Sequence, residues 1–213
     1  MRMRIESFRP DGTRMDLLNP LPTDVNFCEI ANGLSKIARW NGRNPGPAFS
    51  VAQHCVMGAD ALMAETGDTR LAACFLLHDA HEAFIGDITT PTATAIDWLA
   101  SGASGRVLSA IDELKRLLDV VIFHRAGVFP FWESLEMADA VKRMDRRMAF
   151  AEACALFGQQ AAEAWPMFVR MALEERGPPK TTGSFRPWAP MKAEEQWLDR
   201  LRKFAGLDAR AAA

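Results

Sequence analysis

Beyond Asn26 the apolar residues of this chain recur at intervals of three and four, segment after segment, with Gly, Pro or polar clusters between them. Such spacing lays apolar side chains along one face of a helix that turns every 3.6 residues, and it argues against a sheet-based body. Helices are expected near Phe27–Ala38, Ser50–Glu65, Thr69–Phe84, Arg106–Arg125, Ser134–Phe157, Gln159–Glu175 and Met191–Phe204. The best-marked start is Ser50-Val51-Ala52-Gln53, a capping-box pattern in which the Ser hydroxyl and the Gln side chain satisfy opposite backbone amides. The exception to the helical pattern is the stretch Arg4 to Leu18, where apolar positions flank Pro10-Asp11-Gly12, the turn chemistry of a short hairpin. An all-α bundle with a short N-terminal β-hairpin is the expected fold.

A length of 213 residues suits one elaborated domain better than two. Within it we expect a hairpin and loop over 1–26, a helical core over 27–175, and an irregular arm with a last helix over 176–213. The arm is marked by GPPKTTGSFRPWAP from Gly177 to Pro190, too rich in Pro and Gly for regular structure.

The charges nearly cancel, 25 Lys and Arg against 27 Asp and Glu, so no broad electrostatic attraction to nucleic acid or an anionic membrane is expected. The longest wholly apolar run, Leu71 to Leu77, is far short of the ~20 residues a spanning helix needs. The basic start carries no apolar run behind it, so no secretory signal is read, and a cytoplasmic protein with a small-molecule partner is expected. Cys28, Cys55, Cys74 and Cys154 are scattered without a C-x-x-C pair and read as small core residues.

The informative residues are the polar ones inside apolar stripes, because burying them unpaired costs several kcal/mol. Continuing the stripe of Leu71 and Phe75 along the third helix reaches His78, Asp79 and Glu82. On the second helix His54 lies within the stripe of Val51, Cys55, Gly58 and Leu62, and on the fifth Asp145 lies within that of Val141, Met144 and Met148. A lone core His is usually a satisfied one, and a lone Asp beside Arg146 and Arg147 is usually a salt-bridge partner. Two imidazoles and two carboxylates facing inward from three helices are different, because one divalent cation satisfies all four. His54, His78, Asp79 and Asp145 are therefore the expected ligands of one divalent metal ion, with Mn, Co, Fe, Ni, Zn and Mg all open. Glu82, one turn beyond His78 and Asp79, is placed to exchange a proton with water at that ion.

The pattern H…HD…D, here His54, His78-Asp79 and Asp145, resembles the HD-domain metal-dependent phosphohydrolases. Arg39-Trp40, Ser50 to His54, His78 to Ile88 and Thr90-Pro91 are together similar to the bacterial 5'-deoxyribonucleotidase branch of that superfamily, over roughly residues 27 to 157. The resemblance implies one HD-type helical domain, a homodimer, that hydrolyses nucleotide phosphate esters at one divalent metal, most simply (deoxy)nucleoside 5'-monophosphates. It makes Glu82 the acid/base carboxylate, gives Asp87 a catalytic and substrate-binding place, and assigns Arg39, Trp40 and Thr90 to substrate. Arg39 and Asp87 would hold phosphate and sugar, and Trp40 would pack on the sugar.

The chain departs from that pattern in the loop Asn41 to Pro47, in the hairpin and in the arm, which leaves triphosphates and guanosine tetraphosphate open as substrates. A di-iron oxygenase and a silent nucleotide-binding module are the readings from other classes. Of the remaining polar candidates, His81 reads as a neighbour of the site, His124 as a helix-end cation, and Arg146 and Arg147 as mainly solvated. Zincin, P-loop and dinucleotide-fold motifs are missing from the sequence.

Overall fold

In a computed structural model, residues 3–101, 110–128, 130–166 and 177–211 are described. The expected all-α fold is present. Among the described residues the one small sheet is the N-terminal hairpin, β1 (Glu6–Phe8) against β2 (Arg14–Asp16), antiparallel with Ser7 opposite Met15. Gly12 closes the turn at φ 82°, a conformation costly for any residue with a Cβ. Met15 is the hairpin's buried anchor in the core.

The helices are α1 (Phe27–Lys36), α2 (Val51–Thr66), α3 (Thr69–Leu77), α4 (Glu82–Ile85), α5 (Thr90–Ser101), α6 (Ala110–Ala126), α7 (Leu135–Phe157), α8 (Gln159–Glu163) and α9 (Pro190–Ala205). Their starts follow from side chains that accept orphan amides. Asn26 caps Cys28 and Glu29, Asp68 caps Arg70 and Leu71, and Ser134 caps Met137. One continuous core includes Met15, Leu34, Phe49, Phe75, Phe123 and Trp197. α2 is its axis, packed on α1, α3, α7 and α9.

The approach of α2 to α3 depends on Gly58. A Cβ there would fall 2.0 Å from the Phe75 ring, so any larger residue would force the helices apart. Phe75 in turn lies against both His54 and His78, with ring centroids 5.5 and 4.4 Å away.

The helix expected from Thr69 through Phe84 ends at Leu77 instead. The chain continues through hydrogen bonds that reach back three residues: Ala80 N to Leu77 O, Glu82 N to Asp79 O and Ala83 N to Ala80 O. The His78 ring takes the Phe75 carbonyl at 2.6 Å, which competes with the regular α ladder. At about three residues per turn, Asp79 and Glu82 come to lie nearly one above the other.

α5 was not expected. Its Thr-Pro-Thr-Ala-Thr start offers weak helix formers, but Pro91 needs no amide partner in a first turn, and Ala93 N bonds Thr89 O at 2.9 Å. The expected helix over Gln159–Glu175 is seen from Gln159 to Glu163, and its part over 167–175 lies outside the described residues. So does the stretch 106–109 of the expected Arg106–Arg125 helix. Among the described residues no helix is long and apolar enough to cross a membrane.

The capping box at Ser50 forms only in half. Ser50 Oγ accepts from Gln53 N, but the Gln53 side chain turns away and pairs with the arm, donating to Arg186 O at 2.9 Å and accepting from Trp188 N at 2.8 Å. A fully buried amide is thereby satisfied, and the arm is fixed against α2.

Candidate metal centre and its cleft

His54, His78, Asp79 and Asp145 converge. His54 Nε2 lies 3.2 Å from Asp145 Oδ1 and 3.8 Å from Asp79 Oδ2, while His78 Nε2 lies 3.1 Å from Asp79 Oδ2 and 3.8 Å from Asp145 Oδ1. Three elements supply the four groups: α2 gives His54, the turn after α3 gives His78 and Asp79, and α7 gives Asp145.

The far nitrogens of both rings are engaged. His54 Nδ1 donates to Glu152 Oε1 at 2.6 Å and His78 Nδ1 donates to the Phe75 carbonyl at 2.6 Å. Carboxylates and carbonyls only accept, so in the neutral rings the proton resides on Nδ1 and Nε2 presents a lone pair. Both Nε2 atoms are buried without a hydrogen-bond partner. Imidazoles that ligate metals show this arrangement, one nitrogen anchored to a carboxylate or carbonyl and the other free for the ion.

The electrostatics favour positive charge here. Burial, and for His54 the Arg39 guanidinium, oppose a charged imidazole, yet Glu152 and Asp145 raise His54, and Asp79 and Asp145 raise His78 well above the usual range. Burial likewise opposes ionisation of Asp79 and Asp145, and the two imidazoles outweigh it, holding both below the usual carboxylate range. A site this hungry for protons also suits a cation. Cys55 lies within 4.8 Å of ligand atoms of His78 and Asp79, but burial pushes its thiol up to about 11, which leaves it protonated. Buried His, Asp and Cys groups that can hold a metal ion are thus present.

A cleft of about 630 Å³ opens over the cluster and is lined by Asp79, Asp145, Glu82, Asp87, Arg39, Trp40 and Thr90, so every expected site residue except the two deeper histidines borders it. Glu82 is buried, with Oε2 unpartnered. Burial, then Asp79 and Asp87, push its carboxyl well above the usual range, and burial raises that of Asp87. Lys115, Arg43 and Arg146 also border the cleft.

Arg39 is less free than a phosphate clamp should be. Its Nε donates to Glu152 at 2.9 Å and its Nη1 lies 3.6 Å from Asp79. Trp40 holds a left-handed backbone, φ 60° and ψ 25°, unfavourable for a bulky residue, and its Nε1 donates to Glu152 at 3.3 Å. The indole packs edge-on against Phe157, ring centroids 5.6 Å apart.

Two buried carboxylates were missed by the sequence reading. Glu152 lies seven residues after Asp145 on α7, on the same face two turns along, a spacing that could have exposed it. Asp119 on α6 accepts from His81 Nδ1 at 2.9 Å, so His81 belongs to a buried pair beside the site. His124 is exposed at the end of α6. Arg147 points away from the cleft and grips Glu65 with two bonds of 2.8 Å.

No protein-family model matches the chain. Over 188 residues it is 36% identical to the uncharacterized protein RCAP_rcc00048 of Rhodobacter capsulatus, an alignment that spans 82% of this chain and 88% of that one. At that identity and coverage, this chain belongs to the same protein family as RCAP_rcc00048.

Proposed function

We propose that the protein is a metal-dependent phosphohydrolase acting on nucleotides, releasing phosphate from (deoxy)nucleoside 5'-monophosphates. The observation that carries this reading is the pair of buried, unpartnered Nε2 atoms of His54 and His78 facing Asp79 and Asp145. Donor separations of 3.1–3.8 Å fit ligands placed about 2.0–2.2 Å from one ion. When bound, such an ion polarises a phosphoryl oxygen and acidifies water.

The chain's own groups supply the rest. Glu82, at the cleft floor with a raised carboxyl, exchanges a proton with the attacking water. Asp87 orients the substrate beside it. Lys115, Arg43 and Arg146 line the cleft and provide positive charge for phosphate oxygens. Trp40 offers a flat wall for the sugar. The resemblance to HD-domain phosphohydrolases supports the roles of Glu82, Asp87 and Trp40.

The experiment is a panel of nucleoside mono-, di- and triphosphates and guanosine tetraphosphate, offered to protein loaded in turn with Mn, Co, Zn and Mg. Phosphate release from monophosphates is expected. Release of pyrophosphate or triphosphate instead would move the substrate class, and no release from any compound with any ion would overturn the reading.

A further inference from the structure

Glu152 is fully buried on α7 and receives three donors. Its Oε1 takes the Nδ1 proton of His54 at 2.6 Å, and its Oε2 takes Arg39 Nε at 2.9 Å and Trp40 Nε1 at 3.3 Å. The two oxygens therefore serve different parts of the molecule. One faces a proposed metal ligand, the other the substrate wall.

We infer that Glu152 is the positioning residue that joins the metal centre to the substrate cleft, fixing the His54 tautomer with one oxygen and the Arg39–Trp40 wall with the other. The inference rests on the metal reading given above.

Only a carboxylate can do both. All three partners are donors, so the group between them must accept on both sides. A glutamine of the same size accepts on one side and donates on the other. With its oxygen toward Arg39 and Trp40, its amide would point at His54 Nδ1, turning that nitrogen into an acceptor and moving the ring proton to Nε2, where it blocks the ion. With its oxygen toward His54, its amide would face the Arg39 and Trp40 donors and push the wall out of place.

The wall itself has a strained backbone. Arg39 and Trp40 sit in a 3₁₀ turn (Arg39–Gly42) held to the start of α2 by Arg39 N to Phe49 O at 2.8 Å. Trp40 and Asn41 both lie at positive φ. A bulky residue persists there only when its surroundings over-determine it, and the bond from the indole to Glu152 is part of that constraint.

The test compares wild type, Glu152→Gln and Glu152→Asp by titrating metal-stripped protein with Co²⁺, following the visible spectrum, and by measuring KM and kcat for a deoxynucleoside monophosphate. Glu152→Gln is expected to weaken Co²⁺ binding 10–100-fold, the usual effect of losing an anchor behind a ligating His, or to raise KM with Co²⁺ binding kept. The single substitution must disturb at least one side. Glu152→Asp, which keeps the charge but is too short to reach both sides, is expected to do the same and serves if the glutamine variant does not fold. Wild-type Co²⁺ affinity, spectrum and KM in either folded variant would overturn the inference. The metal reading fails separately, and this inference with it, if His54→Ala binds Co²⁺ as wild type does.

Discussion

His54 Nε2 and Asp145 Oδ1 stand 3.2 Å apart with no hydrogen bond between them. A neutral His54 ring has its proton on the other nitrogen, donated to Glu152, so two lone pairs would face each other. Such a contact is costly in a buried site unless positive charge lies between them. The His78 Nε2 to Asp79 pair repeats the relationship at 3.1 Å, and a proton on each ring or one metal cation between the four groups satisfies both pairs.

Glu82 is expected to act on protons without holding the ion. Glu82→Gln keeps the size and removes the titratable group, so turnover should fall roughly 10²-fold or more. Co²⁺ affinity should stay within about twofold of wild type. Steady-state kinetics beside a metal titration check this, and near-normal turnover would remove Glu82 from the mechanism.

Trp40 and Arg39 should respond differently. Trp40→Ala takes away the sugar wall and is expected to relax preference for deoxyribose over ribose, seen as a change in the ratio of kcat/KM values. Arg39→Ala should weaken both substrates alike. It also leaves Glu152 buried without its guanidinium, a loss of about 3 kcal/mol in stability, which thermal melting would register. An unchanged sugar ratio in Trp40→Ala would end its role as gatekeeper.

Gly58→Ala tests the packing that brings His54 to His78. The added methyl would overlap the Phe75 ring, at a cost of about 1–3 kcal/mol. Because Phe75 touches both histidine rings and its carbonyl anchors His78, metal affinity should fall along with Tm. A melt and a Co²⁺ titration on the same sample would show the two losses together.

Much of this site was legible in the sequence because its residues interrupt apolar stripes. His54 and Asp145 reveal themselves by helical period alone, since α2 and α7 are regular where they sit. Glu82 was found for a partly wrong reason, because the helix that was to carry it breaks at His78 and the tighter turn puts it above Asp79. Asp119 and Glu152 are harder to read, since their partners come from residues over 30 positions away, and only the seven-residue step from Asp145 marks Glu152 as sharing its face of α7. The second half of the capping box failed for a similar reason: the Gln53 amide found a stronger claim in the distant arm.

The Glu65–Arg147 pair makes stability depend on pH. Burial opposes ionisation of Glu65, and the Arg147 guanidinium outweighs it, holding the carboxyl below its usual range. A depressed folded value means that this stabilisation is present above the unfolded value near 4.5 and is lost as pH falls through the lower, folded one. Glu65→Gln should cost about 1–3 kcal/mol at neutral pH and narrow the gap to wild type as the solution is acidified below about 4.5. Denaturant melts at neutral and acid pH measure both, and a gap that widens with acid would contradict the assignment.

Metal dependence is tested by titrating stripped protein while reading ions bound and phosphate released in parallel. Activity on a deoxynucleoside monophosphate is expected to be absent without metal, to rise with added Co²⁺ or Mn²⁺, and to level off at one ion per chain. His54→Ala and Asp79→Ala should show neither the ion nor the activity. Full activity in stripped protein, or a full metal complement in both variants, would contradict it.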